Sequence, residues 1–267
     1  SEVTLDILED GGAVPGRPAM RMDVNVDHLV DGGGESGKYP VGWPRIRRAF
    51  KPGEVSLGDY DFLTFQVRID SNRDEVADDV TPFIVNFLSH EGSKLDRHLD
   101  LGDVQRDWVP VRIALADIRE ETPGGPDAMR TLNGLQLVIA ESHYAHGTFL
   151  RFDFDSVEFV RLNVPVLSRV QCANAILTPA RWMTVSAGYL GAAAARERGC
   201  RIEASLIDSA GKTVSSVTVP LSESEEFRLA TDGVTPGEYR LSVSIVDRDG
   251  QTLSEHSRRL IALQGPF

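Results

Sequence analysis

The stretch Gly37 to Arg48, GKYPVGWPRIRR, gathers flat rings and planar cations: Tyr39, Trp43, Arg45 and Arg47 stand within it, beside Lys38 and Arg48. Sugar recognition needs such groups, because apolar ring faces stack on a pyranose while guanidinium forks bind its hydroxyls. The prolines and glycines of the same stretch equally suit a cover over one end of a β-sandwich. A second set of polar and aromatic residues follows apolar runs of strand length. It comprises Glu141-Ser142-His143-Tyr144-Ala145-His146, with His90, Arg97 and His98 earlier in the chain. His90 and Tyr144 join the candidate binders of a sugar. His143 and His146 are a weak metal signal, since surface histidines without a ligand are the commoner outcome.

Acidic residues offer other chemistry. In Asp153-Phe154-Asp155-Ser156-Val157-Glu158, alternate carboxylates sit on one strand. Two carboxylates about 5 Å apart can act as nucleophile and acid on a glycosidic bond, which makes Asp153, Asp155 and Glu158 the enzyme reading of this segment. The competing reading is structural calcium. Calcium takes several carboxylate and carbonyl oxygens, and Asp155 would share the ion with Asp6 and Glu9 from the N-terminal strand. Asp70-Ser71-Asn72-Arg73-Asp74 begins like a calcium loop, but Glu75 replaces the required glycine and Thr81 stands where the bidentate glutamate belongs. It reads as an acidic turn. No Gly-x-Ser-x-Gly elbow, phosphate-cradling glycine loop or HExxH helix occurs.

Composition narrows the class. A chain of 267 residues with 41% hydrophobic and 25% charged residues can bury a sizeable core and is long enough for two domains. Its formal net charge of −12 would repel a phosphate backbone or an anionic lipid surface, so neither nucleic acid nor membrane is an expected partner. No apolar run approaches the roughly 20 residues that cross a bilayer, and Ser1-Glu2-Val3 lacks a basic start. That leaves a cytosolic protein or, the expectation adopted, a trimmed part of a secreted, periplasmic or cell-surface protein. Cys172 and Cys200 form one disulfide or remain two thiols.

The elements that must position these residues are strands. Leu63, Phe65, Val67 and Ile69 alternate with Thr64, Gln66 and Arg68, and Val109 to Leu115 repeats that period of two. Phe83 to Leu88 and Leu135 to Ile139 are apolar runs of strand length; Leu115 to Glu121 and Asp127 to Leu132 are long enough for one short helix each. The pattern restarts near Val160 to Val166. Short strands then follow over 181–187, 201–207, 213–221, 225–230, 238–246 and 252–262, joined by turns such as Asp208-Ser209-Ala210-Gly211 and Asp247-Arg248-Asp249-Gly250. Such spacing predicts an immunoglobulin-like sandwich.

Two stretches carry resemblances. Gln105 to Ile113, with Asn133-Gly134 before a strand and Phe149 to Phe159 as the closing strand, resembles a carbohydrate-binding-module jelly roll of the galactose-binding-like group. Ser156 stands where that group commonly has a second aspartate. Val234 to Gly250 resembles the closing hairpin of immunoglobulin-like domains attached to bacterial glycoside hydrolases. The resemblance implies an all-β chain, with a jelly-roll β-sandwich over 1–163 and a smaller immunoglobulin-like β-sandwich over 164–267. It further implies a non-catalytic accessory pair that binds a polysaccharide or glycan and precedes a catalytic domain beyond Phe267. A jelly-roll glycoside hydrolase and a purely structural or adhesion pair are the alternatives.

Overall fold

The computed structural model describes residues 2–27, 44–72, 83–99, 105–140, 143–172, 176–177, 182–221 and 226–263. The chain divides into two compact units, Ser1–Val160 and Arg161–Phe267, where the sequence reading placed the break after 163. Both are built of β-sheets, and the protein is an all-β sandwich protein.

Alternating side chains make the N-terminal unit. Its strands are β1 (Glu2–Leu8), β2 (Ala19–Asn25), β3 (Arg45–Ala49), β4 (Phe62–Ser71), β5 (Phe83–Ser89), β6 (Lys94–Leu99), β7 (Gln105–Ala114), β8 (Leu132–Val138) and β9 (Phe149–Val160). One helix, α1 (Leu115–Glu121), follows β7 and buries Leu115 and Ile118. The strands form a five-stranded sheet, β1-β2-β9-β4-β7, and a four-stranded sheet, β3-β8-β5-β6. Every pairing in both is antiparallel.

Phenylalanines from the two sheets meet in the core. Phe83 of the smaller sheet lies edge-on to Phe152 and Phe154 of the larger, at centroid distances of 5.8 and 5.6 Å. All three are buried. Each such side chain removed from water contributes roughly 1.5–3 kcal/mol.

β9 is not regular throughout. Thr64 of β4 pairs with Glu158, but Gln66 pairs with Asp155, so β9 carries one extra residue between them. Ser156 sits at that bulge with a φ of 52°. Phe152 and Phe154 face the core before it, and Phe159 packs against the core after it.

The C-terminal unit comprises β10 (Val166–Cys172), β11 (Ile176–Leu177), β12 (Trp182–Leu190), α2 (Ala192–Arg198), β13 (Arg201–Asp208), β14 (Thr213–Pro220), β15 (Glu226–Ala230), β16 (Gly237–Val246) and β17 (Thr252–Ala262). Sheets β10-β12-β15 and β11-β17-β16-β13-β14 enclose a core that includes Val185, Leu206, Leu229, Val243 and Leu260. Gly191 starts α2 at a φ of 85°, and a β-carbon there would lie 2.8 Å from Pro165 Cα. Cys172 and Cys200 are not joined in a disulfide. Among the described residues no helix is long and apolar enough to cross a membrane.

Candidate functional site

Register turns the outward face of the four-stranded sheet into a grid. Arg47, Gln136, Asn86 and Asp96 form one row across β3, β8, β5 and β6, and Arg45, Val138, Ile84 and His98 form the next. The flanks are exposed, through Arg45 and Arg47 on one side and Asp96 and His98 on the other. The middle is buried, with Asn86 and Gln136 each 6% exposed. Charged walls thus border a polar and apolar floor.

The floor holds an unmet acceptor. Asn86 Nδ2 donates to Gln136 Oε1 at 3.4 Å, while Asn86 Oδ1 has no hydrogen-bond partner among the described residues. A buried polar atom without a partner costs about 1–3 kcal/mol, so any donor brought to it would stabilise this floor. The Asn133-Gly134 pair shapes the neighbouring wall. Arg47 Nη2 donates to Asn133 Oδ1 at 2.9 Å. A β-carbon at Gly134 would crowd Arg47 Nε at 3.2 Å and Arg48 O at 3.1 Å. Glycine there lets the arginine lie flat across the sheet.

Of the sequence candidates, Tyr39 and Trp43 lie outside the described residues, as do Glu141 and Ser142. Arg45 and Arg47 share the outward face just described. His90 is exposed in the turn between β5 and β6, its backbone N–H donating to Thr131 O at 3.0 Å. Tyr144 requires a correction. It is 3% exposed and belongs to the core, so neither ring face is available to a sugar.

The rest of the His143 segment also disperses. His143 and His146 are exposed, and His146 Nδ1 lies 3.3 Å from Asp27 Oδ1. Arg97 pairs with Glu121 of α1 at 3.1 Å. Among the described residues of that group, His98 alone reaches the face of Arg45 and Arg47. Asn86, Gln136 and Asp96 were not anticipated. The available signal was a polar residue at alternate positions inside the apolar runs Phe83-Ile84-Val85-Asn86-Phe87 and Leu135-Gln136-Leu137.

The carboxylates of β9 do different work from that expected. Asp153 is 1% exposed and held by two arginines: Arg21 Nε and Nη2 at 2.7 and 2.9 Å, and Arg68 Nε and Nη2 at 3.0 and 2.6 Å. Burial alone would push its carboxyl up, but hydrogen bonds and charge from Arg21 and Arg68 outweigh that and leave its pKa below the usual carboxylate value. A glycosidic general acid needs the opposite shift. Glu158, beyond the bulge, is exposed.

Asp155 pins the loop between β1 and β2 by direct contact: its Oδ2 accepts from Ala13 N–H at 2.8 Å, and its Oδ1 accepts from the Ser156 hydroxyl at 2.9 Å. The expected calcium ligands therefore do not converge. Asp6 and Glu9 are exposed while Asp155 is buried, and among the described residues no group of three or more His, Cys, Asp or Glu could hold a metal.

A hollow of about 560 Å³ also opens beside β3, lined by Met20, Ile46, Phe50, Leu135, Leu137 and Phe159, with Arg47 and Arg48. Among the described residues its walls offer no carboxylate, amide or hydroxyl side chain to accept from sugar hydroxyls. The outward grid offers both donors and acceptors.

No protein-family model matches the chain, and no curated protein matches it in sequence. Among solved structures, a β-1,2-glucanase from Parabacteroides distasonis is similar at 13% identity and a TM-score of 0.38, covering 100% of this chain and 36% of that one. A β-glucuronidase from Bifidobacterium dentium is similar at 9% identity and a TM-score of 0.30, covering 83% of this chain and 40% of that one. CopC from Methylosinus trichosporium OB3b, at 15% identity and a TM-score of 0.26, covers 39% of this chain and 97% of its own. The chain spans little more than a third of the length of the two enzymes. Likenesses this slight say nothing of the site.

Proposed function

We propose that the chain is a non-catalytic, carbohydrate-binding accessory pair serving a larger secreted carbohydrate-active protein. In this reading the N-terminal unit is a jelly roll of the carbohydrate-binding type, the C-terminal unit an immunoglobulin-like spacer, and a catalytic domain lies beyond Phe267. The observation that carries it is the Asn86 Oδ1 acceptor, buried and unmet between exposed Arg45, Arg47, Asp96 and His98. Sugar hydroxyls both donate and accept, so one hydroxyl can satisfy Asn86 while its neighbours meet the guanidiniums and the Asp96 carboxylate.

Tyr239 supports the reading of the second unit. Its hydroxyl donates to Thr235 O at 2.9 Å and accepts from Thr235 N–H at 3.0 Å, which is the corner contact found in immunoglobulin-like sandwiches. The test is a glycan array followed by calorimetric titration of the best ligand. Arg47→Ala and Asp96→Asn should each weaken binding about tenfold, one charge-assisted hydrogen bond apiece. Binding that both variants leave unchanged would remove the outward face from the function.

A further inference from the structure

The outward face of the five-stranded sheet carries alternating rows of charge. Arg21, Asp153 and Arg68 stand in one row on β2, β9 and β4, and in the next the signs reverse as Asp23, Arg151 and Asp70. Arg106 of β7 is 79% exposed, with Nε a loose 3.9 Å from Asp70 Oδ1. Between these strands lies a recess of about 260 Å³, lined by Arg21, Arg68, Asp70, Arg106, Arg151 and Asp153. Counting Asp23, which holds Arg151, four arginines face three aspartates and leave an excess of one positive charge, in a chain whose net charge is −12. An anion is drawn to such a spot, and a neutral ligand gains nothing from the excess.

The guanidiniums are already fixed. Arg21 and Arg68 engage Asp153, and Arg151 engages Asp23, each through Nε and Nη2. Arg68 Cζ lies 4.9 Å from the Trp108 ring centre and Arg151 Cζ lies 5.3 Å from that of Phe149. Among the described residues, Nη1 of Arg21, Arg68 and Arg151 makes no hydrogen bond, so each retains donors. Side chains held this way lose little further entropy when a ligand arrives.

We propose that this recess binds a carboxylate, that of an acidic sugar such as a uronic acid residue. The sugar part rests on the function proposed above; the carboxylate part does not. A planar carboxylate accepts from paired N–H groups in the geometry a guanidinium presents, and Arg106 is free to swing onto it from Asp70.

The experiment titrates the full chain at low salt with sodium glucuronate, glucose and sodium sulfate, following the arginine Nε–H resonances by NMR. Glucuronate should shift Arg21, Arg68 and Arg151, and glucose should not. Arg106→Gln should weaken glucuronate about tenfold, whereas Arg259→Gln, on an exposed arginine of the C-terminal unit, should leave it unchanged. Equal responses to glucose and glucuronate, or no effect of Arg106→Gln in a chain with unchanged circular dichroism, would overturn the site. Sulfate binding as tight as glucuronate would overturn the assignment to a carboxylate. Glucuronate binding without binding of any neutral polysaccharide would uphold the recess while overturning the role of the Asn86 face.

Discussion

The paired variant Asn86→Leu, Gln136→Met separates a functional polar floor from a structural one. Leucine and methionine approximate the shapes they replace, so both amides vanish without a large change in packing volume. The change removes the unmet Asn86 Oδ1, which costs about 1–3 kcal/mol, and sacrifices one hydrogen bond that at 3.4 Å is long and contributes at most about 1 kcal/mol. Apolar neighbours Ile84 and Val138, 5% and 3% exposed, receive the new side chains. The balance is a gain of roughly 1–2 kcal/mol, or about 2–8 °C in the Tm of a unit this size. Scanning calorimetry measures the gain, and titration with a glycan should show binding lost in the same protein. A variant that is destabilised by more than about 1 kcal/mol and still binds would refute the reasoning, because the amides would then serve the fold.

Removing the carboxylate in Asp153→Ala strands Arg21 and Arg68 and should cost about 3–5 kcal/mol in urea unfolding at pH 7. The folded pKa of Asp153 lies below its unfolded value, so its contribution is complete above about pH 4 and is lost as pH falls through the folded value. The gap between wild type and Asp153→Ala should accordingly narrow in acid, and a gap constant with pH would contradict the pairing. Gly191→Ala, with φ at 85° and Pro165 Cα in the way, should cost about 1–3 kcal/mol in the C-terminal unit alone, read as a shift of one calorimetric transition. Unfolding without reductant should expose two thiols to a disulfide reagent, from Cys172 and Cys200. Cys200 should react more slowly in the native protein than in the unfolded chain, since burial and nearby Asp247 push its pKa up.

Strands were legible where their signal was local. The alternation of Leu63 to Ile69 becomes β4, and the runs after residue 181 fall within a few residues of β12 to β17. Turn chemistry was equally plain. Asp208 Oδ1 accepts from the N–H groups of Ala210 and Lys212, Asp247 Oδ1 does the same for Asp249 and Gln251, and a glycine at positive φ closes each turn.

The site was less legible, because its rows join residues far apart in sequence. Nothing in Asn86 or Gln136 alone announces that β5 and β8 set them side by side. Tyr144 misleads for a related reason: flanked by His143 and His146 it reads as surface, yet the chain dips into the core there before β9 begins. Arg21 and Arg68 likewise disclose their tie to Asp153 only once β2 and β4 flank β9.

The extra residue at Ser156 has a bearing on how the chain avoids misassembly. An uninterrupted β9 would present Glu158 to the apolar interior and expel Phe159. With the kink, apolar side chains line the inner surface along both halves of the strand, but only in one alignment against β4. Sliding by a single position would mismatch both halves at once, so this long central ribbon has no near-equivalent way to dock, and its neighbours inherit an unambiguous template.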